Sequence, residues 1–114
     1  MPLKGACKIN QIGYINMEKR CPHASLTEVK SLVNLGKVRT TQSARMGAVA
    51  LGFSYADMLA VVLALTPKDF YKSMTSYTTQ QQWQDVYRPV TDCGTVYLKL
   101  MVQDGVLILS FKER

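Results

Sequence analysis

At 114 residues, with 47% hydrophobic and 19% charged residues, the chain is long enough for one domain with a modest core and too apolar for a disordered protein. Its net charge of +6 favours an anionic partner, although the charges are scattered and form no polybasic tail. Three widely spaced cysteines without a Cys-x-x-Cys pair, together with a single histidine, offer too few ligands for zinc, so we expect neither a metal site nor a cofactor.

The first sixteen residues show no convincing period, and Pro2, Gly5 and Gly13 interrupt them. A more ordered pattern opens at Met17. We therefore predict that residues 1–16 are an extension, disordered or not native to the protein, and that residues 17–114 form a single domain. No apolar secretory segment follows the start, which favours a cytoplasmic protein.

Three helices are predicted in the first part of that domain, from Ser25 to Gly36, from Gln42 to Leu51 and from Tyr55 to Leu65. Ser25-Leu26-Thr27-Glu28 has the pattern of a capping box, and Ser54 can cap the third helix. A short β-prone run, Lys37 to Thr41, separates the first helix from the second. The longest apolar run, Met58 to Leu65, is too short to cross a bilayer, so we expect no membrane contact.

Four β-rich runs follow Pro67, separated by short polar loops: Asp69 to Tyr77, Trp83 to Val90, Thr95 to Gln103 and Val106 to Lys112. Helices first and consecutive antiparallel strands afterwards is the α+β pattern. We predict N-terminal helices packed on one face of a C-terminal antiparallel meander, which leaves the other face of the sheet open.

The last two runs give the strongest short-range signal in the chain. Asp104-Gly105 between alternating runs predicts a two-residue hairpin turn, because such a turn needs positive φ at both central positions. Counting outward gives a wholly apolar face with the pairs Val102–Leu107, Leu100–Leu109 and Leu98–Phe111. The other face receives the pairs Met101–Ile108, Lys99–Ser110 and Tyr97–Lys112. The open face would therefore hold a phenol and two ammonium groups.

The strand before the hairpin can bring further side chains to this face. If it connects through a loop of two or four residues, Gln84 and Arg88 join the open face, with Arg88 opposite Tyr97. A loop of three residues would turn the strand over. In the first strand, alternation groups Lys72 with Phe70 and leaves the face of both undecided.

Basic side chains with an aromatic among them suit a single-stranded nucleic acid, since lysine and arginine neutralise phosphate and tyrosine stacks on an unpaired base. The competing interpretation is an ordinary solvent-exposed face. No glycine-rich phosphate loop is present, and His23 beside Ser25 lacks the third member of a hydrolase triad. The pattern by itself therefore indicates a nucleic-acid-binding face only weakly.

Six runs of residues carry more specific information: Met-Glu-Lys-Arg at 17–20, Gly-Lys-Val-Arg-Thr-Thr at 36–41, Asp-Phe-Tyr-Lys-Ser-Met-Thr at 69–75, Trp-Gln-Asp-Val-Tyr-Arg-Pro at 83–89, Val-Tyr-Leu-Lys at 96–99 and Val-Leu-Ile-Leu-Ser-Phe-Lys-Glu at 106–113. Together they resemble the MqsR toxin family, the motility quorum-sensing regulators, which are mRNA interferases of type II toxin–antitoxin systems with a RelE-like fold. The resemblance covers residues 17–114 almost without gaps. It departs over residues 1–16, since family members usually begin near the position of Met17.

The resemblance implies an endoribonuclease that cuts mRNA at GCU-like sites without the ribosome. It implies a cognate antitoxin with a zinc-binding domain and a DNA-binding domain, so that any zinc in a complex would lie on the partner. It also implies four catalytic positions: Lys72, Gln84, Tyr97 and Lys112. Counting places the last three on the open face as well, whereas Lys72 rests on the resemblance alone. The open face adds Arg88 and Lys99 as RNA-binding candidates.

The resulting hypothesis is attack of a ribose 2′-hydroxyl on the adjacent phosphate, which leaves a 2′,3′-cyclic phosphate and a 5′-hydroxyl. Because the open face holds no histidine, we expect most of the rate to come from electrostatic stabilisation of the phosphorane by Lys72 and Lys112, without a metal, and Arg88 is a further candidate for this role. Tyr97 is the expected base. The alternative is a non-catalytic nucleic-acid-binding or corepressor module that works with an antitoxin and leaves RNA intact.

Overall fold

The computed structural model describes residues 9–12, 16–75 and 82–114. In chain order its elements are β1 (Ile9–Ile12), β2 (Asn16–Lys19), α1 (Leu26–Asn34), β3 (Val38–Thr40), α2 (Gln42–Ala50), α3 (Tyr55–Leu63), β4 (Phe70–Thr75), β5 (Trp83–Tyr87), β6 (Val90–Thr91), β7 (Gly94–Val102) and β8 (Val106–Glu113). A 3₁₀ turn, Pro67–Asp69, leads into β4. The predicted extension lies partly outside the described residues, as does the end of the first β-rich run at Tyr77, and the status of residues 1–16 stays a prediction.

The strands that the structure describes lie side by side in the order β1-β2-β4-β5-β7-β8-β3, and β6 adds a short pair to β7. Every neighbouring pair on this path is antiparallel except β3 with β8, which is parallel. The predicted α+β class is confirmed. The parallel edge strand β3 was not predicted, because a three-residue β-prone run does not identify its partner strand.

Hydroxyl side chains begin the helices of the described ranges. Ser25 and Thr41 each accept a hydrogen bond from an amide in the first turn of α1 and of α2. Ser54 does the same for α3, and the Asp57 carboxylate accepts from the Ser54 amide in return at 2.9 Å. The helix starts are therefore those expected from the sequence, whereas α3 ends at Leu63, two residues before its predicted end.

One face of the sheet packs against these helices. Buried members of this core include Val29, Val33, Ala44, Ala48, Met58 and Val62 from the helices and Val96, Leu98, Leu100, Val106, Ile108 and Phe111 from β7 and β8. The helices thus cover the apolar side of the hairpin, as predicted, and leave its other side for a site. In the described part of the chain, no single helix is long and apolar enough to cross a bilayer; α2 and α3 pass that test only as a pair bent by 94°.

Away from the turn, the β7–β8 hairpin has the predicted register, with the pairs Tyr97–Lys112, Leu98–Phe111 and Lys99–Ser110. Near the turn the pairs are Leu100–Ile108, Met101–Leu107 and Val102–Val106. The predicted pairs Leu100–Leu109, Met101–Ile108 and Val102–Leu107 are therefore wrong by one residue.

A β-bulge between Lys99 and Leu100 separates the two registers, and the loop has three residues in place of two. Asp104 and Gly105 do have positive φ, 56° and 118°, as the turn prediction required. The bulge allows Ile108 and Phe111, which strict alternation would put on opposite faces, to share the buried face. Because residues 106–109 are all apolar, the alternation pattern could not reveal the bulge.

β5 joins β7 in the register expected from a two-residue loop, with the pairs Asp85–Leu100, Val86–Lys99 and Tyr87–Leu98. The loop itself is confirmed, since Thr91 pairs with Gly94. Gln84 stands two residues before Val86 on the same strand, and it therefore shares the face of Lys99.

Helix α2 approaches β8 so closely that Gly47 has no room for a side chain. A Cβ atom there would lie 2.1 Å from the Phe111 carbonyl oxygen, far inside contact distance. The same Cβ would lie 3.6 Å from the Cβ of Lys112. The glycine therefore sets how closely α2 sits behind the strand that carries Lys112.

We predict that Gly47→Ala lowers the free energy of unfolding by about 1–3 kcal/mol, because the methyl group meets backbone that cannot turn aside. This loss must exceed the roughly 0.5–1 kcal/mol that alanine gains over glycine inside a helix. Urea unfolding measures the difference. Ser43→Ala, at an exposed position of the same helix, is the matched control and should change little. A Gly47→Ala protein as stable as the control would contradict the close packing.

Candidate active site

The open face of the sheet carries a row of residues that crosses four strands. Lys72 on β4 pairs with Val86 on β5, Val86 pairs with Lys99 on β7, and Lys99 pairs with Ser110 on β8. Directly paired residues point to the same side of a sheet. The row therefore places Lys72 and Lys99 on one face with a small apolar residue between them.

The face of Lys72, which alternation left undecided, is determined by a second bulge. The register of β4 shifts between Phe70 and Lys72. Phe70 consequently packs on the core side against Tyr87, with ring centroids 5.5 Å apart. Lys72 faces the open side, together with the other residues that the sequence motifs indicated. A bulge near a site re-aims one side chain without disturbing the rest of the strand.

Glu18 is the residue of this face that the sequence did not predict. It lies on β2 opposite Met74, and its carboxylate forms an ion pair with the Lys72 ammonium group. Both side chains are largely buried, at 16% and 19% exposure. Only the Met-Glu-Lys-Arg run pointed to this position, and nothing in it named a partner on β4.

Lys99, Lys112 and Tyr97 form the second half of the face. The Lys112 Nζ lies 5.4 Å from the centroid of the Tyr97 ring, as expected for residues directly paired between β7 and β8. Lys99 is half-buried, and that burial lowers its pKa; the nearby charges of Lys112 and Lys72 lower it further. Lys99 is thus close enough to both other lysines for their charges to affect it.

Gln84 is the polar side chain of this face with the deepest burial. It is 8% exposed, and its Oε1 has no hydrogen-bond partner among the described residues. A buried acceptor left in this state costs about 1–3 kcal/mol. Gln84 pairs with Met74 across β4 and β5, beside the row that holds Lys72. The Gln84 Oε1 is thus available to accept a hydrogen bond from a ligand bound at this face.

Arg88 lies opposite Tyr97, as counting predicted. The β5–β7 pairs end at Tyr87, but β6 pairs with β7 in the same register on the other side of Arg88. The Arg88 guanidinium lies over the Tyr71 ring, 3.7 Å from the centroid. Arg20 and Lys72 also approach that ring, at 5.8 and 5.3 Å. The Arg88 side chain therefore belongs to a cationic cluster around Tyr71, next to Lys72.

The histidine lies on the other side of the sheet. The Asp85 carboxylate accepts hydrogen bonds from the His23 amide at 2.9 Å and from the Ala24 amide at 3.0 Å, which holds the segment before α1 against β5. The His23 ring stacks on Trp83, with centroids 5.9 Å apart. Burial, followed by the charge of Lys19, lowers the pKa of His23. His23 thus has a structural environment and is remote from the lysine face.

Two comparisons with known proteins match most of this chain. A family model described as "Motility quorum-sensing regulator, toxin of MqsA" matches residues 21–113. A protein of Escherichia coli (strain K12) named mRNA interferase toxin MqsR is 54% identical over 98 residues, which is 86% of this chain and 100% of that protein.

Lys99 should destabilise the fold at neutral pH. Its pKa is lower in the folded state than in the unfolded chain, so below both values the folded state carries an unfavourable charge. We predict that Lys99→Met raises the free energy of unfolding, by on the order of 1 kcal/mol or less after solvent screening. The gain should shrink as the pH rises through the lowered pKa toward 10.5. Urea unfolding between pH 7 and pH 10 measures both effects.

The matched control is Lys68→Met, which removes an exposed lysine before β4. If Lys99→Met were less stable than this control at pH 7, the repulsion among the three lysines would not be a significant cost.

Proposed function

This chain belongs to the MqsR toxin family, and from that membership and the basic face we propose that it is the toxin of a type II toxin–antitoxin system and an endoribonuclease that cleaves mRNA. The observation that carries the proposal is the buried, unpartnered Oε1 of Gln84 beside the row that joins Lys72 to Lys99. A polar acceptor and several cations in one place suit the 2′-hydroxyl and the phosphate of a ribonucleotide.

The arrangement suits single-stranded RNA better than a small anion. Residues on strands two apart are separated by about 10 Å, so Lys72 and Lys99 can contact the scissile phosphate from two sides. Tyr97 offers a ring with Lys112 against it, and a flanking base can stack beside such a ring. The cluster of Arg20 and Arg88 around Tyr71 extends the cationic surface beyond Lys72, where the backbone of a longer strand would continue.

The chemistry begins with the position of the 2′-hydroxyl. The Gln84 Oε1 accepts its hydrogen bond and aligns the oxygen with the phosphorus atom. Lys72 and Lys112 stabilise the negative charge that develops on the phosphorane oxygens. Tyr97 is the base that takes the 2′-hydroxyl proton. The products are a 2′,3′-cyclic phosphate and a 5′-hydroxyl.

Binding of mRNA has to compete with Glu18 for Lys72. The carboxylate that pairs with Lys72 neutralises part of the face in the unbound protein. A phosphate that binds Lys72 takes the place of the Glu18 carboxylate. Because Lys72 is already largely buried in the unbound protein, binding adds little further desolvation of its ammonium group. This supports binding of Lys72 to the phosphate group of the RNA and not to a nucleobase.

The cognate antitoxin is the protein partner that family membership gives. We propose that this antitoxin carries its own zinc-binding and DNA-binding domains, that the toxin is cytoplasmic, and that it cleaves at GCU-like sites without the ribosome. Residues 17–114 are proposed to suffice for activity. The support is the length of the similar Escherichia coli protein, all of which is matched by 98 residues of this chain.

The decisive experiment incubates the purified protein with a defined mRNA in excess EDTA and maps the ends of the fragments. We expect cleavage at a small set of sites, and the same sites for a chain shortened to residues 17–114. Lys112→Ala should cut at least 10²-fold more slowly, the low end of what one electrostatic contact contributes to a rate. Lys68→Ala, which removes an exposed lysine that lies in the turn before β4, should cut like the unmodified protein.

Intact RNA together with salt-sensitive binding would favour the non-catalytic module instead. A folded Lys112→Ala protein that cuts at the full rate would remove Lys112 from the site. Loss of activity in EDTA would contradict the metal-free chemistry, and loss of activity on shortening would show that residues 1–16 contribute to function.

A further inference from the structure

Lys99 occupies the centre of the open face. Its neighbours across the sheet are Val86 on one side and Ser110 on the other, neither of which carries a charge. Lys112 lies diagonally across β8, two residues beyond Ser110, and Lys72 lies beyond Val86. A phosphate held between the outer two lysines would therefore lie over Lys99.

Lys99 also differs from its neighbours in its partners. Lys72 is paired with Glu18, and Lys112 lies against the Tyr97 ring. All eight acidic residues of the chain fall within the described ranges, and none of those described carboxylates forms an ion pair with Lys99. The pKa of the half-buried ammonium group is lowered by burial and by the charges of Lys112 and Lys72, and none of the described carboxylates offsets these charges through an ion pair.

The groups that face Lys99 come from each neighbouring strand. β4 brings Lys72, β7 itself brings Tyr97, and β8 brings Lys112, whereas β5 presents only Val86 and Gln84, neither of which titrates. Glu18, on β2, is engaged at the far side of Lys72. No described group of the face is therefore better placed than Lys99 to give up a proton.

RNA cleavage by the 2′-hydroxyl needs such a donor. The O2′–P bond forms while the P–O5′ bond breaks, and the electron pair of that bond stays on the 5′-oxygen. An alkoxide is a poor leaving group, so a proton delivered to it as the bond breaks lowers the barrier. Tyr97, the proposed general base, accepts the proton that leaves the 2′-oxygen. A second group, a general acid, has to supply the proton that the 5′-oxygen receives.

We propose that Lys99 is the general acid of this reaction, donating a proton from Nζ to the 5′-oxygen as the P–O5′ bond breaks. The inference rests on the proposed RNase function. The proton balance closes, because Tyr97 gains one proton, Lys99 loses one, and solvent restores both. Binding of the phosphate offsets the repulsion from Lys72 and Lys112 and keeps Lys99 protonated until the leaving oxygen takes the proton.

The test compares two RNA substrates that differ in one atom. In the second, sulfur replaces the bridging 5′-oxygen at the cleavage site, and a thiolate leaves without needing a proton. On the oxygen substrate, Lys99→Met should be slower than the unmodified protein by about 10²–10⁴-fold in single-turnover cleavage, the range for general acid catalysis. On the sulfur substrate the deficit should fall below about tenfold. The fall in the unmodified protein's rate at alkaline pH should disappear with the sulfur substrate as well.

Two further variants make the result specific. Lys112→Met removes electrostatic stabilisation, so its deficit should be similar on both substrates. Lys99→Arg keeps the positive charge, but a guanidinium group does not release its proton, so it should show the same oxygen-specific deficit as Lys99→Met. This variant also keeps the test valid if Lys99→Met fails to fold.

An equal deficit of the Lys99 variants on both substrates, or full activity of Lys99→Arg on the oxygen substrate, would overturn the proposal. Either result would leave Lys99 as a phosphate-binding residue. Absence of cleavage by the unmodified protein, in contrast, would overturn the RNase function itself, so the two failures are distinguishable.

Discussion

Three lysine side chains of like charge, Lys72, Lys99 and Lys112, share one face of a sheet whose other face is covered by helices. Two unit charges about 10 Å apart repel by roughly 1.7 kcal/mol at an effective dielectric constant near 20. The fold tolerates this cost because the opposite face is apolar and buried, and because Glu18 neutralises one of the three charges. In the proposed function, the phosphate of a bound RNA offsets the remaining repulsion among the lysines.

Two β-bulges give the face its composition. One turns Lys72 away from the core while Phe70 stays in it, and the other allows Lys99 and Ile108 to be correctly placed on opposite faces of a continuous hairpin. Without the first bulge, Lys72 and Phe70 would have to point the same way, and one of them would be in the wrong environment. Gly47 contributes from behind, since it lets α2 lie directly on the strand that carries Lys112.

The sequence was most informative where the backbone follows regular rules. The hydroxyl caps Ser25 and Ser54 located the starts of α1 and α3. The two-residue loop, one of the lengths that the sequence left open, gives the register that puts Gln84 on the face of Lys99. Prediction from the sequence failed where a β-bulge interrupts the alternation of inward-facing and outward-facing side chains. The hairpin register near its turn was wrong because four consecutive apolar residues, 106–109, conceal the position of a bulge.

The positions of the candidate site residues could be predicted where they lie on regular strands and not where they depend on a bulge or on a contact between distant segments. Tyr97 and Lys112 pair as counting predicted, because their part of the hairpin is regular. The face of Lys72 could not be predicted, since it depends on a bulge that no residue type marks. Glu18 could not be predicted as a member of the site either, because its contact with Lys72 spans 54 positions of sequence and depends on β2 lying beside β4. The contact of the Arg88 guanidinium with the Tyr71 ring could not be predicted either, because it depends on the packing of β4 beside β5.

In the proposed reaction, the nucleophile is the ribose 2′-hydroxyl of the RNA itself. Replacing that single hydroxyl by hydrogen at one mapped cleavage site tests this directly, when cutting there is compared with cutting at an unmodified site in the same molecule. We expect the modified linkage to stay intact, while binding and cleavage at the unmodified site continue. Cleavage of the deoxy linkage at a comparable rate would rule out the 2′-hydroxyl, because another nucleophile would then have to attack the phosphate.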